Sequence, residues 1–241
     1  MKIIADTHCH TVASTHAYST AKEMIDAASV MGLYAIALTD HGRAMPGSPG
    51  RWFFKNLVVI PRVVNGVRVL RGAEANVIDY DGTLDMPDVT LQELDWVIAS
   101  MHREPLSGPR DIDACTNAWL GVCRNPNVNV IGHCGMETFK FDYERVIPEF
   151  GRAGKIVEIN NNSFLVRPDA IPNCKRIAKL CKKHGVSVVV NSDAHFYTQV
   201  GHVEKAVALL SEIDFPEELI LNAVSKRFEA YLSKNTAAFC E

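Results

Sequence analysis

Seven short runs rich in β-branched residues punctuate the chain, and helix-like stretches follow several of them. The runs are Lys2–Ala5, Tyr34–Leu38, Val67–Leu70, Trp96–Ala99, Val128–Ile131, Ile156–Ile159 and Val186–Val190. Near-continuous apolar runs of this length read as strands covered on both faces, the condition of a parallel sheet lying between helices. Seven of them in 241 residues predict an α/β barrel rather than an open, doubly wound sheet. Periodicity alone does not separate the two, but the placement of ionisable residues does.

Most of the candidate strands end in a potential metal ligand. The first leads into Asp6, His8 and His10, and the second into Asp40-His41. The third ends near Glu74, the fourth at His102 and the fifth at His133. The seventh runs into Asn191-Ser-Asp193-Ala-His195, while the sixth, ending Glu158-Ile-Asn160, offers no clear ligand. In an α/β barrel the C-terminal strand ends converge on one mouth, so these residues would meet there. Strand alternation puts His8 and His10 on one side and Cys9 on the other. Asp193 and His195 would pair in the same way if the backbone stays extended, and His16 could fold back from its loop. A lone H-x-H pair is a weak signal. Here seven of nine histidines fall at such positions, which favours a shared metal site over independent roles. Imidazole and carboxylate ligands suit zinc, manganese, iron or nickel better than magnesium or calcium.

The segments between the strands carry helix signals. Thr20-Ala-Lys-Glu23 is a capping box that opens a helix ending near Gly32. Asp169–His184, stopped by Gly185, Val203–Ile213 and Glu217–Val224 also read as helices. Pro148 weakens the helix signal of Tyr143–Arg152, and Gly and Pro make Met45–Phe54 a mouth loop. Trp52 in that loop would cap a substrate ring or anchor the loop to the barrel.

The chain is expected to form a single domain over 1–241. Hydrophobic residues make up 47% and charged residues 22%, values that exclude disorder. No run approaches the ~20 apolar residues of a membrane helix, and no secretion signal precedes the first strand, so a cytoplasmic location is expected. A formal charge of -3 and the lack of a Lys/Arg stripe argue against nucleic-acid binding. The seven cysteines lack CxxC spacing, which argues against disulfides and a thiolate zinc site.

Together Asp6-Thr-His8-Cys-His10, Thr39-Asp40-His41-Gly42, Gly132-His133 and Ser192-Asp193-Ala-His195 resemble the four motifs of the PHP (polymerase and histidinol phosphatase) family of metallohydrolases. The similarity runs the length of the chain and is closest to the YcdX branch of zinc phosphatases. Thr11–Thr20, Leu70–Asn76 and Glu158-Ile-Asn-Asn carry that closer match. The resemblance implies a distorted TIM-like (β/α)7 barrel and three divalent ions, zinc ahead of manganese or iron. It groups His8, His10, Glu74 and Asp193 around the first ion, and His16, His41 and His195 around the second. Glu74, His102 and His133 would hold the third. Cys134 stands where the close relatives would have proline, placing a thiol beside His133.

The activity this implies is hydrolysis of a phosphate ester by a metal-bound hydroxide, with Asp193 orienting the nucleophile. Three divalent ions, two carboxylates and a hydroxide leave about +3 in a weakly screened pocket, which suits a phosphate group. Arg43, Arg51, Arg62 and Arg103 are candidate contacts to a small phosphorylated substrate, since guanidinium binds phosphate bidentately. Competing readings are a phosphodiesterase or nuclease on nucleic-acid ends, and a metal-binding regulator without turnover. An amidohydrolase is disfavoured because no strand end offers a lysine for carbamylation.

Overall fold

The computed structural model describes residues 1–235. Eight strands form one sheet: β1 (Ala5–Cys9), β2 (Ala35–Leu38), β3 (Val63–Val64), β4 (Val67–Asn76), β5 (Trp96–Ser100), β6 (Val130–Ile131), β7 (Ile156–Asn160) and β8 (Val188–Asn191). Seven run parallel in the order β1-β2-β4-β5-β6-β7-β8, and β3 is an antiparallel arm on β4. The helices are α1 (Ala21–Val30), α2 (Arg51–Asn56), α3 (Asp88–Leu91), α4 (Ile112–Cys123), α5 (Tyr143–Arg152), α6 (Ser163–Val166), α7 (Ile171–His184), α8 (Glu204–Glu212) and α9 (Ser225–Asn235). The result is the nearly closed, distorted TIM-like barrel that seven strand signals imply. No helix among the described residues is long and apolar enough to cross a membrane.

The distortion has a local cause at the seam between β1 and β8. A single parallel bridge, Cys9 to Ala194, joins them there. Side chains supply the missing pairing. The Asn222 amide donates to the carbonyls of Ala5 and Val190, at 2.8 and 2.7 Å, and its oxygen accepts the Val190 N–H. Asn191 Oδ1 accepts from Thr7 N, and Asp6 accepts from Ser192 N. These fully buried polar groups would be costly unpaired, so the seam is specified by particular residues rather than by a generic ladder.

Alternation sorts the strand side chains. Along β4, Ala73 and Ala75 pack toward the helices, while Leu70 and Glu74 face the barrel interior. The interior floor is apolar: Leu70, Trp96, Ile98 and Val189 pack there, sealed from below by Leu221, Phe228 and Leu232. The polar mouth lies at the opposite end. Ala5 belongs to the interior cluster but Cys9 to the outer one beneath α1, although both are odd positions. A register irregularity between Asp6 and Cys9 makes that switch.

Several sequence expectations are corrected. The first strand is Ala5–Cys9, not Lys2–Ala5, because its interior-facing polar residues mask an otherwise ordinary strand. The helix signal of Tyr143–Arg152, by contrast, holds over its full length despite Pro148. Asp142 caps it through Arg145 N at 3.1 Å, and burial of Tyr143, Val146, Ile147 and Phe150 outweighs one lost hydrogen bond. Within Met45–Phe54 the Gly/Pro punctuation ends at Gly50, so Arg51 opens the short α2. Glu217–Val224 forms two 3₁₀ turns, Glu217–Leu219 and Leu221–Ala223, bent where Asn222 enters the seam. The capping box stands as read, with Thr20 N donating to Glu23 Oε2 at 2.7 Å.

Candidate metal centre

Glu74, near the end of β4, sits at the middle of the mouth. Its Oε1 lies 2.8 Å from His133 Nε2 and 3.5 Å from both His8 Nε2 and His102 Nε2. Its Oε2 lies 2.7 Å from His41 Nδ1 and 3.6 Å from His10 Nε2. One buried carboxylate thus faces five imidazoles drawn from four strand ends. Asp193 Oδ1 forms a second focus, 3.3 Å from His10 Nε2, 3.5 Å from His8 Nε2 and 3.6 Å from His195 Nδ1. His8 Nε2 and His10 Nε2 approach to 3.1 Å, and His16 Nε2 and His41 Nε2 to 3.3 Å. The structure therefore brings all nine sequence-predicted ligands together.

Several of these spacings fit ligands placed around a shared ion. Four atoms at about 2.0–2.1 Å from a tetrahedral zinc lie ~3.3 Å from one another. His41 Nδ1 and Glu74 Oε2 are buried and close yet form no hydrogen bond, as expected of two lone pairs aimed at a common cation. Three groups bring their ligand atoms within 4.8 Å: His8, His10 and Asp193; His10, His41 and His195; and His41, Glu74 and His102. The donor set fits divalent transition metals.

Other side chains aim the rings. His8 Nδ1 meets Glu158 Oε1 at 2.7 Å, and His102 Nδ1 meets Asn76 Oδ1 at 2.7 Å. His10 Nδ1 is 3.2 Å from Ser14 Oγ, which donates to Asp40. Fixing one ring nitrogen leaves Nε2 of each free to ligate. The backbone is left-handed at His133 (φ 23°) and Asp193 (φ 57°). The Asp193–His195 segment is thus a turn, not the extended stretch its spacing suggested. Such conformations in non-glycine residues are costly and cluster at functional sites.

The charges of the site are interdependent: burial would lower His8, but Glu158, Asp193 and Glu74 raise it well above the usual imidazole range. Burial alone would raise Glu74 and Asp193, but the surrounding histidines hold both carboxyls well below the usual range. Burial, with His41 and His195 nearby, pushes His10 well down and keeps it neutral. Burial also pushes the Cys134 thiol far up. The thiol beside His133 is thus a neutral, enclosed group rather than a reactive thiolate.

The arginines singled out in the sequence lie elsewhere. Arg62 pairs with Asp95, the residue before β5, at the end of the barrel away from the mouth. Arg43 is exposed, with Nε 3.3 Å from the Asp85 carbonyl, and Arg51 is exposed on α2. Arg103 donates to Thr138 Oγ1 at 2.8 Å on the rim of a neighbouring cavity. Trp52 is 82% exposed, which removes the anchoring role considered for it. None of these lines the cavity of about 610 Å³ above the histidines, whose walls include Thr15, Pro46, Asn162 and Arg167. Sequence reading assigned no site role to Glu158, Asn160 or Arg167. The signal for the first two was available, as polar residues two apart on the inward face of an apolar strand.

The chain belongs to the PHP domain family, which matches residues 6–193. It is 45% identical to a probable phosphatase of Acetivibrio thermocellus over 97% of both chains. It is 44% identical to a probable phosphatase of Caldicellulosiruptor saccharolyticus, over 96% of this chain and 97% of that one. Among solved structures, histidinol phosphate phosphatase from Lactococcus lactis, complexed with zinc, L-histidinol and phosphate, superposes with a TM-score of 0.66. That match has 17% identity over 90% of this chain and 95% of the other, a likeness of fold.

Proposed function

We propose that the protein is a metal-dependent phosphatase acting on small phosphate monoesters at three divalent ions, zinc ahead of manganese or iron. The observation that carries this reading is Glu74, one carboxylate within 3.6 Å of five imidazole nitrogens. So many donors exceed the needs of one four-coordinate ion and favour several, among which Glu74 would be shared. His8, His10, Glu74 and Asp193 would hold one ion, His16, His41 and His195 a second, and Glu74, His102 and His133 a third. His10 also lies close to His41 and His195, and His41 close to Glu74 and His102, which favours a compact cluster over separate shells. The full-length relatives named as probable phosphatases support the reaction class.

Bound divalent ions would make water acidic enough to attack near neutral pH and would neutralise phosphoryl charge. The chain's own residues place and orient the reactants. Asp193 is suited to orient the attacking water, with Oδ2 steadied by Asn160 Nδ2 at 3.1 Å. The cavity wall confines the ester, and its size suits a small molecule. The test combines elemental analysis of the purified protein with hydrolysis of p-nitrophenyl phosphate and bis-p-nitrophenyl phosphate. Chelation should abolish monoester turnover and metal should restore it. Metal without turnover would instead mark a binding protein, and preference for the diester a phosphodiesterase.

A further inference from the structure

Two cavities meet beside the metal centre. The first, about 610 Å³, covers the histidines, and the second, about 380 Å³, opens from its flank. They share His102, Glu104, Val166 and Arg167 as a common wall. Among the described residues, Arg167 is the one lysine or arginine lining the first cavity.

The Arg167 side chain has no ordinary structural employment. Its Nη1 is buried and makes no hydrogen bond, and no ion pair engages the guanidinium among the described residues. Its positive charge reaches His102, where it adds to burial and His133 in pushing that imidazole down. A buried guanidinium nitrogen without a partner is costly, so a group in this position is explained best by an anion it is built to meet.

The chain presents Arg167 with care. It follows the one-turn α6 and precedes Pro168, whose ring restricts the backbone of the residue before it. The loop is anchored by Asn160, whose Oδ1 accepts from Ser163 N at 2.9 Å while its Nδ2 donates to Asp193. The arginine is thereby tied through one asparagine to a metal-centre carboxylate.

Resting on the phosphatase reading, we propose that Arg167 grips the non-bridging oxygens of a phosphate monoester at the metal centre, with the leaving group in the flanking cavity. Hydrolysis breaks the P–O bond to that group and forms a P–O bond to water oxygen. A proton from the water ends on the departing oxygen, which leaves as an alcohol. A diester has one anionic oxygen fewer and a second substituent aimed at the wall, so Arg167 selects for monoesters. Beyond Arg167 the flanking cavity is lined by Glu104 and Asp169, neither paired among the described residues, and by Arg103, already engaged with Thr138. That lining favours a neutral or cationic leaving group over an anionic one.

The test uses the metal-loaded full chain, with Arg167→Ala and Arg167→Lys beside the wild type. Inorganic phosphate binding is followed by calorimetry, and metal content by elemental analysis. Both variants should keep their metal and bind phosphate about 10- to 100-fold more weakly, since an ammonium cannot reproduce the guanidinium fork. The ratio of monoester to diester kcat/KM should fall with it. Glycerol phosphate and phosphoethanolamine should be better substrates than phosphoglycerate. Phosphate binding within twofold of wild type in Arg167→Ala, or none to the wild type, overturns the grip. A preference for phosphoglycerate overturns the placement of the leaving group. Arg167-dependent phosphate binding without ester hydrolysis would refute the phosphatase reading and leave the grip standing.

Discussion

Glu158 Oε1 lies 2.7 Å from Nδ1 of His8, and Oε2 of the same carboxylate accepts the backbone N–H of His133 at 2.8 Å. One buried side chain therefore orients two candidate ligands on different strand ends. Burial pushes Glu158 up, but the charges of His8 and His133 and the His8 hydrogen bond bring it below the ordinary range.

Glu158→Gln keeps the volume and removes the charge. Metal affinity should fall about 10- to 100-fold, as for other partners of metal-bound histidines. Competition with a chromogenic chelator measures this, with circular dichroism to verify the fold. Unaltered affinity would show that His8 needs no such orientation.

Removing metal should lower stability as well as activity. The mouth concentrates imidazoles and carboxylates that bound cations would satisfy, and a ligand held only by the native state stabilises it. Chelator treatment should lower Tm by several degrees, at about 2–4 °C per kcal/mol for a chain of this size. Scanning fluorimetry before and after adding zinc back reads the effect. A Tm indifferent to chelation counts against a metal-linked fold.

Gly121 in α4 and Gly82 in the turn after β4 pack face to face. A Cβ on Gly121 would stand 1.9 Å from the Asp81 carbonyl oxygen, so the backbones must part. Gly121→Ala should cost about 1–3 kcal/mol or more. Gly50 is open around its Cβ position and has φ -76°, but it caps α2, where glycine is favoured over alanine, so Gly50→Ala should change stability by less than about 1 kcal/mol. Urea denaturation of the pair gives both values, and similar losses would contradict the packing.

Arg62 separates stability from chemistry. Its partner Asp95 is 2% exposed and also accepts Arg71 N at 2.9 Å, far from the mouth. Arg62→Ala strands a buried carboxylate and should cost about 1–3 kcal/mol. Its kcat/KM for a phosphate monoester should stay within about twofold of wild type. A large kinetic loss in a stable variant would restore Arg62 to the substrate.

Most of the barrel was legible because its strands are apolar on both faces and their polar exceptions fall at one end. The residues that gather at the mouth were legible for the same reason, since His8, His41, Glu74 and His133 interrupt apolar context at strand ends. What escaped notice depends on three dimensions. The helix through Pro148 forms because tertiary burial overrides a local penalty. Arg62 and Arg167 look alike in one dimension, yet one faces Asp95 and the other an unpaired cavity wall. Asn222 reads as an ordinary helical residue until the seam it closes is seen.

The metal-centre groups also set an order in time. His41, Glu74 and His102 are all synthesised by residue 102, whereas His8 and His10 wait for Asp193 of the 241-residue chain. On the proposed assignment, an ion between them and Asp193 would be held only once the strand that shuts the barrel is in place, tying the two ends of the sheet together.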